Sequence, residues 1–108
     1  MNVDQITTRG KKLTITKDGK EIARVYLYFI RNELHEKPYA LMEDLFVQEE
    51  FRGQGLGKQM VKAAVEEAKK EGCYKVICTS RYEREQVHKM YQNLGFNDYG
   101  KEFRINIA

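Results

Sequence analysis

The run Arg52-Gly53-Gln54-Gly55-Leu56-Gly57-Lys58 is where residue type and spacing point most directly to chemistry. Glycines at alternate positions let the backbone curl close to a bulky ligand, because no Cβ stands in the way. Arg52 and Lys58 add cations to the run. Leu56, Met60, Ala64 and Ala68 then repeat at i, i+4, so the run opens a helix. A helix start leaves about four backbone N–H groups without partners and carries roughly half a positive charge. A phosphate or pyrophosphate is the natural guest. Two common phosphate fingerprints do not fit. A Walker A loop ending at Gly57-Lys58 would need glycine where Arg52 stands and Ser or Thr where Gln59 stands. The G-x-G-x-x-G pattern fails at Lys58 from Gly53 and at Met60 from Gly55. A plain tight turn is the other reading, and it needs neither the third glycine nor the two cations.

What does fit is R-x-x-G-x-G, from Arg52 to Gly57, after an apolar strand and before an amphipathic helix. This unit resembles motif A of the GNAT superfamily of N-acetyltransferases. The longer string LMEDLFVQEEFRGQGLGKQMV is similar to the same stretch of the diamine acetyltransferases within that superfamily. The resemblance covers about residues 12–107. It implies direct transfer of an acetyl group from acetyl-CoA to a primary amine, with no metal. It also implies that backbone groups of Leu45, Phe46 and Val47 pair with the pantetheine arm. The amides of Gly53, Gln54, Gly55, Leu56, Gly57 and Lys58, with Arg52, would hold the pyrophosphate.

Such a transfer needs a neutral amine, donors for the developing oxyanion and a proton for the departing thiolate. The resemblance supplies candidates. Tyr91, in HKMYQNLGF, matches the family's Y-x-x-x-G-F segment, whose tyrosine often protonates the thiolate. A phenol near 10 and a thiol near 8.5 are close enough in pKa to share that proton. The spacing of Tyr91 with Val87 and Leu94 by itself favours a core tyrosine, and the resemblance reverses that preference. Glu43 matches the position that commonly deprotonates the amine, and Asp44 is its rival, because successive strand residues point to opposite faces. The other reading of Glu43 is an ion pair with Arg24 or Arg31. Arg84 stands where the family often has an asparagine that contacts the cofactor, and could meet a phosphate instead. His88 could relay a proton to Tyr91 and Cys78 reads as a core residue.

The elements that must position these groups follow in order. Lys12–Thr16 alternates as a strand, Lys17-Asp18-Gly19-Lys20 is a hairpin turn, and Glu21–Ile30 returns. In the return strand Ala23, Val25, Leu27 and Phe29 share one face. Residues 39–47 read as a central strand, apolar on both sides, with Glu43 on the face of Leu41 and with Asp44 and Phe46 on the face of Met42. The helix from Leu56 ends at Gly72 as a C′ glycine. Lys75–Ser80 is expected to run parallel to the central strand, Glu83–Leu94 to form a second helix closed by Gly95, and Tyr99–Ile107 to form a last strand. The order β-β-β-α-β-α-β predicts an α/β (α+β) fold: a mixed, mostly antiparallel twisted sheet with two main helices. The N-terminal helices usual in the family are missing before Lys12. The acceptor groove is then open, or closed by a partner protein or by a second copy in a homodimer.

Length and composition set bounds. A chain of 108 residues is expected to form one domain. Apolar residues at 42% allow a modest core, and charged residues at 32% cover the surface. A net charge of +3 suits an anionic cofactor and is no argument for nucleic acid. No apolar run is long enough for a membrane span, and MNVDQITTRGKK has no signal core. Cys73 and Cys78, with two histidines in all, make neither a zinc set nor a disulfide framework. These features predict a cytoplasmic protein. The acceptor could be the amine of a small molecule or of a protein.

Overall fold

The computed structural model describes all 108 residues. They form two compact units, Met1–Cys78 and Thr79–Ala108.

In the first unit β1 (Arg9–Lys17) and β2 (Lys20–Ile30) make the predicted hairpin. Asp18 at φ 52 and Gly19 at φ 77 take the two left-handed turn positions that a two-residue loop requires. β3 (Tyr39–Val47) pairs antiparallel with β2, and β4 (Val76–Ile77) pairs parallel with β3. The sheet order is β1-β2-β3-β4. A short 3-10 turn (Glu49–Phe51) leads from β3 towards α1 (Leu56–Lys70).

The core lies between α1 and one face of the sheet. Val25, Leu27 and Val61 are fully buried, and Ala23, Phe29, Ala40, Met42, Met60, Ala64 and Ala68 complete the layer. Burial of Leu27 alone is worth about 2 kcal/mol of transfer free energy. The alternation in β2 and the i, i+4 stripe of α1 thus meet as their periods require. The opposite face of the sheet is more open. Tyr26, Tyr39 and Leu41 are half-buried, and Tyr28, Glu43, Asp44 and Phe46 are exposed. The expectation of a β3 covered on both sides is therefore corrected.

A β-bulge adds Phe46 to that open face. Tyr26 faces Glu43 and Arg24 faces Phe46, so β3 has one residue more than β2 in this interval. The extra residue shifts the alternation. Phe46 joins Glu43 on the face of Arg24 and Tyr26, rather than Met42 on the helix side. β4 is also shorter than expected. Its ladder ends at Leu41↔Ile77, just before the bulge bends β3 away.

Ion pairs fasten β1 to α1. Lys11 Nζ lies 2.6 Å from Glu67 Oε1 and 2.9 Å from Glu71 Oε1, and Arg9 reaches Glu71 Oε2 at 2.7 Å. Hydrogen bonds from Lys11 hold both carboxyls below their ordinary range. A carboxyl with a lower folded than unfolded pKa stabilises the fold above the unfolded value, and that contribution is lost as pH falls through the folded one. The melting temperature should accordingly be flat from neutrality down to about pH 4.3, the ordinary glutamate value, and fall below it. The fall should be smaller in Lys11→Met. Calorimetric scans across this range check both statements.

In the second unit α2 spans Glu85–Asn93, close to the predicted helix, and Gly95 at φ 100 follows its end. Residues 99–107 form no strand. Tyr99, Phe103, Ile105 and Ile107 are 96%, 90%, 85% and 94% exposed. Their alternation is real, but a strand exists only where a ladder neighbour satisfies its backbone, and no strand pairs with this segment. Residues 1–8 are exposed and carry no regular structure.

Candidate functional site

The first unit brings most of the candidate residues together. β2 pairs with one edge of β3 as far as Val47. On the other edge β4 pairs only with Ala40 and Leu41. From Met42 to Val47 that edge has no strand beside it, so Leu45, Phe46 and Val47 sit on an open ladder edge. An open edge offers main-chain donors and acceptors to an extended ligand.

The chain beyond β3 is tightly anchored. Gln48 N–H donates to Ile22 O at 2.8 Å, and its side-chain Nε2 donates to Glu21 O at 2.7 Å. Arg52 Nε donates to Val47 O at 2.8 Å, and its guanidinium lies 5.5 Å from the centre of the Phe46 ring. Arg52 thereby ties the glycine loop to the strand it leaves, and its terminal nitrogens make no hydrogen bond or ion pair within the chain.

The loop itself is shaped by two left-handed residues, Gly53 and Gly55, both at φ 80. A Cβ built on either would meet nothing within 4 Å, so the space in front of them is open. Gly55 is the N-cap of α1 and has no side chain to cap it. Gln59 N–H donates to Gly55 O at 3.0 Å, the first bond of the helix. The consecutive N–H groups from Gly53 to Lys58 donate to no acceptor in the protein. No acidic residue stands in the first turn of α1. Unpaired amides, the helix dipole, Lys58 and open space together can take an anion the size of a pyrophosphate.

The two carboxylate candidates separate cleanly. Asp44, at φ 54, is gripped by Arg24: Nε to Oδ2 at 2.9 Å and Nη2 to Oδ1 at 3.2 Å. Arg24 holds the Asp44 carboxyl below the usual range, chiefly through these hydrogen bonds. Glu43 is exposed and makes no ion pair or side-chain hydrogen bond. The sequence suggested Arg24 or Arg31 as its partner. Arg24 instead takes Asp44 and Glu21, and Arg31 Nε donates to the carbonyl of Glu36. Arg24 is the residue whose importance the sequence understated, since a bulge that turns Asp44 towards it has no sequence signature.

Tyr91 lies on α2 in the second unit, half-buried, with its ring 5.3 Å from that of Phe96. Its carbonyl accepts from Phe96 N–H at 2.9 Å. His88 Nε2 is 3.1 Å from Ser80 Oγ. Arg84 occupies the N-cap of α2 without capping it through its side chain. No group of three or more His, Cys, Asp or Glu side chains is placed to hold a metal ion, and no helix is long and apolar enough to cross a membrane.

An anion-accepting helix start, reached from an open strand edge in a mixed four-stranded sheet, defines an α/β domain suited to an extended phosphate-bearing ligand. The chain belongs to the acetyltransferase (GNAT) family, whose model matches residues 4–96. The glucosamine 6-phosphate N-acetyltransferase of Trypanosoma brucei brucei is 35% identical over 66 residues, 61% of this chain and 43% of that protein. This chain spans less than half the length of the curated relatives it matches. A solved structure from Agrobacterium tumefaciens str. C58 is 31% identical, with a TM-score of 0.82 over 90% of this chain and 68% of that one. A solved acetyltransferase of Trypanosoma brucei is 26% identical, with a TM-score of 0.79 over 93% and 69% of the two chains. The fold expected from the sequence, a mostly antiparallel mixed sheet with two helices, agrees with these neighbours.

Proposed function

We propose that residues 1–108 act as one acetyltransferase domain, which binds acetyl-CoA and passes the acetyl group directly to a primary amine. The observation that carries this reading is the row of unpaired amides from Gly53 to Lys58, set beside the open edge of β3, in a chain of this family. The amides, with Lys58 and the terminal nitrogens of Arg52, would take the pyrophosphate. Main-chain groups at Leu45, Phe46 and Val47 would line up the pantetheine arm, and an N–H there would polarise the thioester carbonyl. Glu43, its carboxylate uncommitted, would accept the proton the amine loses. The amine nitrogen bonds to the acetyl carbon, the carbon–sulfur bond breaks, and the thiolate takes a proton from the Tyr91 hydroxyl. The products are an amide and free CoA. The acceptor is an amine-bearing small molecule or protein amine. The Trypanosoma relative is named for glucosamine 6-phosphate, so an amino sugar phosphate heads the acceptor panel, followed by polyamines and peptide amines.

The test is a thermal-shift titration with acetyl-CoA, with ATP and NAD as controls. At about a hundred times its Kd a ligand stabilises a fold by roughly 2.7 kcal/mol. In a domain near this size that raises the melting temperature by about 10 °C or more. A shift with acetyl-CoA that neither control reproduces is the expected result. A folded protein with no shift would remove the acetyl-donor reading.

A further inference from the structure

We propose that Arg24 is the positioning residue for the acetyl donor: its two-point grip on Asp44 holds the β3 bulge that sets the open edge at Leu45–Val47. This rests on the acetyl-donor reading above.

The bulge places Asp44 and Leu45 against the single residue Val25. Asp44 takes φ 54, a left-handed conformation. Apart from Asp18 in the hairpin turn, it is the only non-glycine residue of the chain with positive φ. An L-residue adopts this conformation at a cost in free energy, so something must hold it there. Arg24 does so in a fork: Nε to Oδ2 at 2.9 Å and Nη2 to Oδ1 at 3.2 Å. A bidentate pair fixes direction as well as distance. The fork is itself braced. Arg24 Nη1 lies 3.6 Å from Glu21 Oε2, and Glu21 Oε1 lies 2.6 Å from Lys12 Nζ.

The same guanidinium lies 4.7 Å from the centre of the Phe46 ring. Arg52 approaches that ring too, at 5.5 Å, while bonding Val47 O. Arg24 therefore touches the residue that makes the bulge and the residue the bulge re-aims. The path continues through Arg52 into the glycine loop. The strand edge and the phosphate cradle share one brace. Asp44, committed in this way, acts through geometry and not as the base.

Two substitutions test this. Arg24→Met keeps the apolar stem and removes the fork. Asp44→Gly supplies a residue that adopts positive φ without help. Arg24→Met should weaken acetyl-CoA binding about tenfold, the effect of losing roughly 1.4 kcal/mol. It should raise the acetyl-CoA KM in step and leave kcat within about twofold, since no reacting group is touched. The double variant Arg24→Met/Asp44→Gly should recover affinity to within about twofold of wild type. Glycine at a left-handed position also recovers stability, so the titrations are run well below the melting temperature of every variant, where a difference in affinity reports the edge geometry and not the folded fraction. In the unliganded protein, amide exchange at Leu45, Phe46 and Val47 should quicken in Arg24→Met and return in the double variant. Equal affinity in wild type and Arg24→Met overturns the proposal. So does a double variant as weak as the single one, or unchanged exchange at these amides. A wild-type protein that fails to bind acetyl-CoA is a different result and removes the donor reading itself.

Discussion

Gly55→Glu is expected to lower acetyl-CoA affinity at least a hundredfold while the protein still folds. The two effects have separate causes. Gly55 sits at φ 80, and glutamate in that conformation costs about 1–2 kcal/mol. A Cβ there meets nothing within 4 Å, so the new side chain adds no clash with the protein. The melting temperature should drop by about 5–10 °C. For the ligand the same open space is the problem. The carboxylate enters the volume in front of the unpaired amides from Gly53 to Lys58. It competes for those donors and repels the pyrophosphate, and a hundredfold loss corresponds to only about 2.7 kcal/mol. Gly72→Glu is the control. Gly72 has φ 76 and equally open space, but follows the other end of α1, about 22 Å along the axis. It should cost similar stability and leave acetyl-CoA affinity within about twofold. Calorimetric titration of both variants decides. Normal binding by Gly55→Glu would mean that the glycine loop does not hold the donor.

This contrast marks what was legible in the residues themselves. Positive φ at Gly53 and Gly55 follows from glycine at a strand-to-helix turn, and the stripe of α1 follows from its i, i+4 spacing. The Asp-Gly turn and the inward face of β2 were equally readable. Those features are local, and local stereochemistry decides them. The bulge at Asp44 is different. The string MEDLFV reads as part of one continuous strand, and the extra residue shows only in the pairing with β2. It overturned the placement of Phe46 and settled which acidic residue is committed to Arg24. Phe103 to Ile107 carries a strand's alternation without a strand's neighbour, and β4 stops where β3 bends. Periodicity reports which face could be buried. Whether a ladder forms depends on what lies beside it, and the sequence of one segment does not contain that.

Glu43→Gln is expected to reduce kcat/KM at pH 7 by about a hundredfold to a thousandfold, the range usual for losing a positioned base. The need for a base is quantitative. An ordinary primary amine with a pKa near 10.4 is neutral in about one molecule in 2,500 at pH 7. Only the neutral form attacks, so a bound ammonium must first give up a proton to a base. Glu43 is exposed, faces Tyr26 across the strands and makes no ion pair, so its carboxylate is available. Asp44 next to it is not, because both of its oxygens are bonded to Arg24. Asp44→Asn should therefore cost less than about tenfold, acting through the bulge. The pH dependence separates proton transfer from simple binding. Wild type can bind the ammonium and pass its proton to Glu43, whereas Glu43→Gln must draw neutral amine from solution. That neutral fraction rises tenfold per pH unit below the amine's pKa, so the deficit of Glu43→Gln should shrink as pH rises from 7 to 9. The acetyl-CoA KM should stay put throughout. A deficit that is constant across this range would make Glu43 a binding group for the acceptor. A larger loss in Asp44→Asn than in Glu43→Gln would exchange their roles, and would mean that Arg24 releases Asp44 when the acceptor arrives.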